Sequence, residues 1–429
     1  MKGLVFTYLM TYGGAVTALF YPFVGLLIYI CFAIIRPYDL WFWSVPLSNY
    51  SRTIAVALLM GWVSRGCGRW DFGRARAILA ALGAYFAWAT LGALGAADQE
   101  VAWDYVESVG KIALPVLVGL TTIDSVARLK QIAWLIVVSQ GYVALELNLS
   151  YFTGFNRLHE MGFGSMDNNC FAISLDTVIG LGFFLGLEAR QTWQKILALG
   201  CVALQAHAVL FSMSRGGMLG MICVGLASFV LIPKRPVHLL MLSLAVVVCL
   251  RLAGPEVRQR FSTTFAGSEG RDQSAQSRVE LWKQCVRAMA QHPLMGVGPN
   301  HWVLVVQNYG GYVRKEAHTL WLQTGAELGV PGLVFLLLFY VVCVVRIWPI
   351  ARGRQPVPDP WLATAGRMVI ASLVGFMVSV QFVSVETLEP PYYVAMLGAG
   401  VLKLASTCPP APAGRLAPGG VIRGPGPGR

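Results

Sequence analysis

Apolar residues in this chain come in continuous runs of about 15 to 22, the length that crosses a hydrocarbon core of roughly 30 Å as helix. A helix satisfies its own backbone inside lipid, and the period-two alternation of a barrel strand is absent from these runs. The pattern predicts an all-α, polytopic membrane helical bundle of about 12 transmembrane helices. The short runs at 4–20, 22–35 and 53–64 give thirteen crossings if all of them span, so either the N-terminus is outside or one run is interfacial.

Polar punctuation between the runs alternates in character. SRGCGRWDFGRAR (64–76) has four arginines, whereas DQEVAWDYVE (98–107) has four acids and no base. The stretches 124–130, 188–195, 233–238 and 346–367 also carry bases. By the positive-inside rule these face the cytoplasm. The external set is then 98–107, about 145–168, the turn SRGG at 214–217, 253–317, and VETLEPP at 385–391. Composition agrees with this picture: of 429 residues 56% are hydrophobic and 13% charged, against about 25% charged in soluble domains. The formal net charge of +12 lies mainly in the loops, and no nucleic-acid partner is expected. The nine cysteines are scattered through apolar runs without a CxxC pair or metal-ligand spacing, which reads as small membrane hydrophobes.

Four parts follow along the chain. Residues 1–254 hold the N-terminal transmembrane helices and the SRGG turn, 255–317 a large external loop with short helices, 318–405 the C-terminal transmembrane helices. A Pro- and Gly-rich tail at 406–429 is expected to be disordered.

Chemistry is concentrated at the external face. Arg215 follows a long apolar run, and an arginine at a helix centre costs about 2.5–3.5 kcal/mol on insertion scales; the loop charges move it to the external rim, where the cost falls. The loop 255–317 carries eight Lys/Arg against five Asp/Glu on the side where bases are usually sparse, and an anionic ligand at the outer surface accounts for that excess. Within it QSRVELWKQCVRAMAQHP predicts one helix ending before His292 and Pro293, with Val279, Trp282, Cys285, Val286 and Met289 at helical spacing. Arg278 and Trp282, four residues apart, share a face. Lys283 and Arg287 read as basic side chains snorkelling to lipid phosphate. Gly296 and Gly298 mark a tight turn. His318 stands where the chain re-enters the membrane, a position open to either a structural or a functional reading. Asn168 and Asn169, beside Asp167, fit a helix N-cap or hydrogen bonds to sugar hydroxyls equally. Asp176, about two turns further on, either pairs with a polar neighbour or marks an ion path.

SMSRGGMLG, SRVELWKQCVRAMAQHPLMGVGPNHW and AHTLWLQTGAELGVPG, in this order over roughly residues 165–345, resemble the O-antigen ligase and polymerase-like superfamily of bacterial envelopes. YPFVGLLIYICFAIIRPYDLWFW (21–43) and GSMDNNCFAISL (164–175) are similar to its branch of exosortase-associated O-glycosylation ligases. That resemblance implies a GT-C-like membrane glycosyltransferase of the bacterial cytoplasmic (inner) membrane, with its active site facing the periplasm. It would transfer a glycan from undecaprenyl diphosphate to a lipid, protein or polysaccharide acceptor, by inversion, with no cofactor and no metal. Arg215 and Arg278 would hold the diphosphate, with Arg260 or Arg271 assisting, and His318 would act near the acceptor. The alternatives are a polymerase of lipid-linked repeats and a secondary transporter or flippase, in which Asp176 and Arg215 would be translocation residues. No internal repeat relates the two halves as many transporter folds require.

Overall fold

A computed structural model describes residues 1–232, 273–311 and 314–407. The expectations on Arg260, on Arg271 and on the tail beyond residue 407 therefore lie outside the described residues. Within them the elements are helical throughout, with no strand: Lys2–Phe20 (α1), Pro22–Ile35 (α2), Tyr50–Ser64 (α3), Arg76–Leu94 (α4), Gln99–Thr122 (α5), Val126–Phe152 (α6), Asn168–Glu188 (α7), Thr192–Phe211 (α8), Arg215–Leu231 (α9), Gln273–Gln291 (α10), Leu320–Ala351 (α11), Trp361–Ser379 (α12) and Glu389–Thr407 (α13).

Among the described residues eight helices are long and apolar enough to cross a membrane, and α9 is a shorter apolar helix. The protein is thus a polytopic membrane helical bundle. Burial sorts its helices: 83% of the apolar window of α7 is buried against 28% for α1. The centre is α7, packed on α8, α9 and α12, with α12 in turn packed on α11 and α13. A helix that is apolar all round is either central or lipid-facing, and the composition of these two does not separate the cases.

Loops that alternate in charge along the sequence gather at two opposite ends of the bundle. At one end Arg69 N–H donates to the Thr121 carbonyl at 2.8 Å, Arg74 N–H to Ser406 Oγ at 3.1 Å, and Arg346 to the Arg74 carbonyl at 3.3 Å. At the other, Asp98 N–H donates to His301 Nε2 at 2.9 Å, and Arg36 pairs with Glu389 at 2.9 Å while also donating to the Gly164 carbonyl. The acidic stretch 98–107 is not a loop. It is the first turns of α5, where the Asp98 carboxylate accepts from Glu100 and Val101 N–H at 3.1 and 3.2 Å, and acids are favoured at that positive end of a helix.

One break in regularity shapes this second end. Gly329 sits inside α11 at φ 69°, ψ −175°, followed by Pro331, and such a conformation is available essentially to glycine alone. The kink leaves carbonyls of the preceding turn without helical donors. They are satisfied from outside: the Ala326 carbonyl accepts from Val297 N–H at 2.9 Å, Glu327 from Gly298 N–H at 3.0 Å, and Leu328 from Trp88 Nε1 at 2.9 Å. The turn at Gly296 and Gly298, both with left-handed φ, is in this way docked onto the broken helix.

Candidate active site

Three helix starts meet at the end of the bundle that holds Asp98 and Glu389, and each is fixed by a short-range device. Asp167 caps α7, its carboxylate accepting from Cys170 N–H at 2.7 Å. Burial works against its charge, yet the hydrogen bonds from Cys170 and Asn169 outweigh it and hold the carboxyl below its ordinary value. Ser214 caps α9, its Oγ accepting from Gly217 N–H at 3.2 Å, with Met213 before it in the left-handed region. The turn is fastened from two sides: Asn168 Nδ2 donates to the Ser212 carbonyl at 2.7 Å and Asn156 Nδ2 to the Phe211 carbonyl at 2.8 Å. Arg215 is the first residue of α9.

The third start is that of α11. Its N-cap is Thr319, and His318 before it has φ 54°, a strained value for a non-glycine residue that persists only where the surroundings enforce it. Those surroundings are visible. Ala317 N–H donates to Gln323 Oε1 at 3.0 Å, Ser384 Oγ donates to the same oxygen at 2.6 Å, and the Ala317 carbonyl accepts from Trp282 Nε1 at 3.1 Å. Trp282 thereby pins α10 beside residue 317. Arg278, one turn earlier on the same face, is brought next to His318 by that anchor.

The buried stripe of α10 is Leu281, Cys285 and Ala288, packed with Trp302, Val306, Tyr309, Ala317 and Ala326 into a small core of its own. This corrects the face expected from spacing. Val279 and Val286 are 44% and 51% exposed, and the smaller side chains at 285 and 288 let the helix lie closer to its support. Gly216 and Gly217 of the SRGG turn face packing neighbours. A Cβ on Gly217 would lie 2.7 Å from Ala172 Cβ, and one on Gly216 would lie 3.2 Å from Phe382 Cβ, so these glycines serve the contact of α9 with α7 and with the end of α12.

Arg278 is close enough to both Arg215 and His318 for their charges to act on one another. Burial presses on the Arg278 charge and Arg215 adds to it, with Asp167 in opposition, so the guanidinium is held below the ordinary arginine value. Its Nε is buried without a hydrogen-bond partner. Burial, then Arg278 and Lys315, push the His318 imidazole below its ordinary 6.5 against the pull of Asp167. Glu316 is pushed up by burial and by Asp167. Arg278 and His318 line one cavity of about 710 Å³ together with Lys315, Gln284 and Gly311.

Asn168 spends its amide on the SRGG turn, and Asn169 Nδ2 reaches Asp167 Oδ2 at 3.3 Å and Asn168 Oδ1 at 3.2 Å. The cap itself is Asp167. Asp176, fully buried, accepts from Ser379 Oγ at 3.3 Å on α12 and lies roughly 13 Å along α7 from Asp167 at 1.5 Å per residue. Sequence reasoning assigned no role to Lys315, Glu316 or Glu327. The signal for Glu327 was present, since a carboxylate inside an apolar run is by default a residue with a named partner. Its Oε1 accepts from Trp302 N–H at 3.1 Å and Gln323 Nε2 at 3.3 Å, and its Oε2 from Asn300 N–H at 3.1 Å.

A multi-pass helical membrane protein in which an arginine of one helix, Arg278, meets an arginine and a histidine at the starts of two others is the class these features define. Residues 200–337 match the family model described as O-Antigen ligase, a span that contains Arg215, Arg278 and His318. Residues 1–154 match a model described as Family of unknown function (DUF5935). No curated protein matches the chain. The ligase match and the membrane-helix bundle together support a membrane glycan-transfer enzyme of the O-antigen ligase superfamily.

Proposed function

We propose that the protein transfers a glycan from undecaprenyl diphosphate to an acceptor hydroxyl or amine at the external face of the bacterial cytoplasmic membrane. The observation that carries this reading is the convergence of the Arg215 and Arg278 guanidiniums on the N-terminal ends of α7 and α9, with His318 in the same cluster. Helix N-termini favour anions. A guanidinium fork matches phosphate oxygens better than a point charge does.

In the proposed reaction the acceptor oxygen or nitrogen attacks the anomeric carbon from the face opposite the diphosphate, so configuration inverts. The new bond forms as the anomeric C–O bond to phosphate breaks, and the departing diphosphate takes the electron pair. Arg215 and Arg278 stabilise that growing charge, which is where electrostatic catalysis is most effective. His318, kept toward its neutral form by burial and then by its cationic neighbours, takes the acceptor proton. The leaving group needs no protonation, and the donor already holds the energy for transfer, so neither a nucleotide nor a metal is required by the chemistry. The acceptor is a lipid, protein or polysaccharide in the environment of the external face. We place the protein nearest the exosortase-associated ligase branch on the strength of the sequence pieces at 21–43 and 164–175.

The test is transfer by purified protein from an undecaprenyl diphosphate glycan to a candidate acceptor, without nucleotide or added metal, with release of undecaprenyl diphosphate. Arg215→Ala and Arg278→Ala are each expected to lower the rate by about 10²-fold or more, and His318→Ala by roughly 10²- to 10⁴-fold. Retained transfer in these variants would remove the site assignment. Loss of activity with a chelator, restored by a divalent ion, would remove the metal-free mechanism.

A further inference from the structure

The cavity of about 710 Å³ is larger than a diphosphate needs and falls in the roughly 300–1,000 Å³ range of small-molecule sites. Its walls are unlike the arginine cluster at its end. Gln276, Glu280 and Gln284 line it from α10 at successive four-residue steps, which places them in a row on one helix face. Leu281 lies among them and is 2% exposed. Gly310 and Gly311, beside Gln284, add backbone to the lining.

Gln284 marks this as a built site. Its side chain is 2% exposed, and its Oε1 has no hydrogen-bond partner within the protein. A buried amide oxygen left without a donor is costly, and one that faces a cavity is kept where a ligand supplies the donor. Gly311 lies directly against it. A Cβ at that position would lie 2.7 Å from Gln284 Oε1 and 2.4 Å from Val306 Cγ2, closing the space over the oxygen.

We infer that this cavity is a sugar subsite, which seats the first ring of the glycan attached to the diphosphate, with Gln284 at its floor. The inference rests on the diphosphate reading above. A pyranose presents hydroxyls around its edge and C–H groups on its face. The amide and carboxylate row reads the edge, and Leu281 meets the face. Arg278 and His318 line the same space, so the anomeric carbon of a ring seated there lies between the group that holds the leaving phosphate and the group that takes the acceptor proton. Gln284 is a binding residue for the sugar, distinct in role from the arginines.

The experiment compares two probes on full-length protein in detergent: undecaprenyl diphosphate, and undecaprenyl diphosphate carrying one N-acetylhexosamine. Wild type is expected to bind the sugar-bearing lipid about tenfold more tightly than the bare one, and Gln284→Leu to lose most of that preference while binding the bare lipid unchanged. Gln276→Trp, at an exposed position, fills the mouth of the cavity without disturbing the core and is expected to give the same selective loss. Arg278→Ala weakens both probes alike. Equal binding of the two probes by wild type, or equal weakening of both by Gln284→Leu and Gln276→Trp, would overturn the sugar subsite while leaving the diphosphate site intact. Failure of wild type to bind even the bare lipid would overturn the diphosphate reading and the subsite with it.

Discussion

Glu327 is the residue on which the segment 297–302 hangs, and its replacement has a calculable effect. The side chain is fully buried. Its two oxygens take three donors: Trp302 N–H, Gln323 Nε2 and Asn300 N–H. Glu327→Ala strands the buried Trp302 N–H, at about 1–3 kcal/mol, and the less enclosed Asn300 N–H at somewhat less, for roughly 2–4 kcal/mol together. Glu327→Gln keeps one acceptor oxygen and turns the other into a donor, so one N–H faces an N–H₂ and the loss is about half as large. The damage extends to the chemistry, because Gln323, once freed, no longer holds the backbone N–H of Ala317 beside His318. The assay is thermal unfolding in detergent combined with amide hydrogen exchange of a peptide covering residues 296–304. The expected order of stability is wild type, then Glu327→Gln, then Glu327→Ala, with exchange rising at Asn300 and Trp302 in the same order and glycan transfer falling. If both variants unfold like wild type, or if Glu327→Ala loses stability without faster exchange in that peptide, the clamp does not exist as described.

Further outcomes follow from other positions. His318 is held below its ordinary 6.5 by burial, Arg278 and Lys315, so the acidic limb of kcat/KM for transfer should fall below pH 6.5; a limb at or above that value would exclude His318 as the base. Glu386, beyond the end of α12, is pushed up from 4.5 to about 7, mainly by burial and also by Glu316. Its folded form keeps a proton that the unfolded chain releases, so it contributes stability that is complete below pH 4.5 and is lost as pH rises to about 7. Glu386→Gln should flatten the change of the thermal midpoint across that window, and an unaltered slope would count against it. Gly220→Ala places a Cβ 1.7 Å from Ser379 Oγ and 2.5 Å from Asp176 Oδ2; about 1–3 kcal/mol of destabilisation is expected, with partial recovery in the double variant Gly220→Ala, Ser379→Ala, and additive losses would refute the contact.

Much of the architecture was legible in local signals. Helix ends are set within a few residues, so the Asp167 cap, the stop of α10 before His292 and Pro293, and the turn at Gly296 and Gly298 could be read from neighbours alone. The four-residue spacing of Arg278 and Trp282 was equally plain. What it meant was not, because the partner of Trp282 is the Ala317 carbonyl, 35 residues away. The inner face of α10 was misjudged for a related reason. An apolar side chain such as Val279 satisfies a helical pattern whether it meets a core or stays exposed, and only the supporting surface decides.

The sequence by itself determined that this is a helical membrane protein, which loops share a face, and that basic residues and a histidine gather on one of them, because apolar run length and loop charge act locally on insertion into a bilayer. Tertiary structure alone decided that His318 takes a left-handed conformation, that Glu327 holds the turn at 297–302, and that Gly217 gives α9 its approach to α7. Each of these depends on hydrogen bonds or steric contacts between segments distant in the chain, and no pattern within either segment states which distant group it will meet.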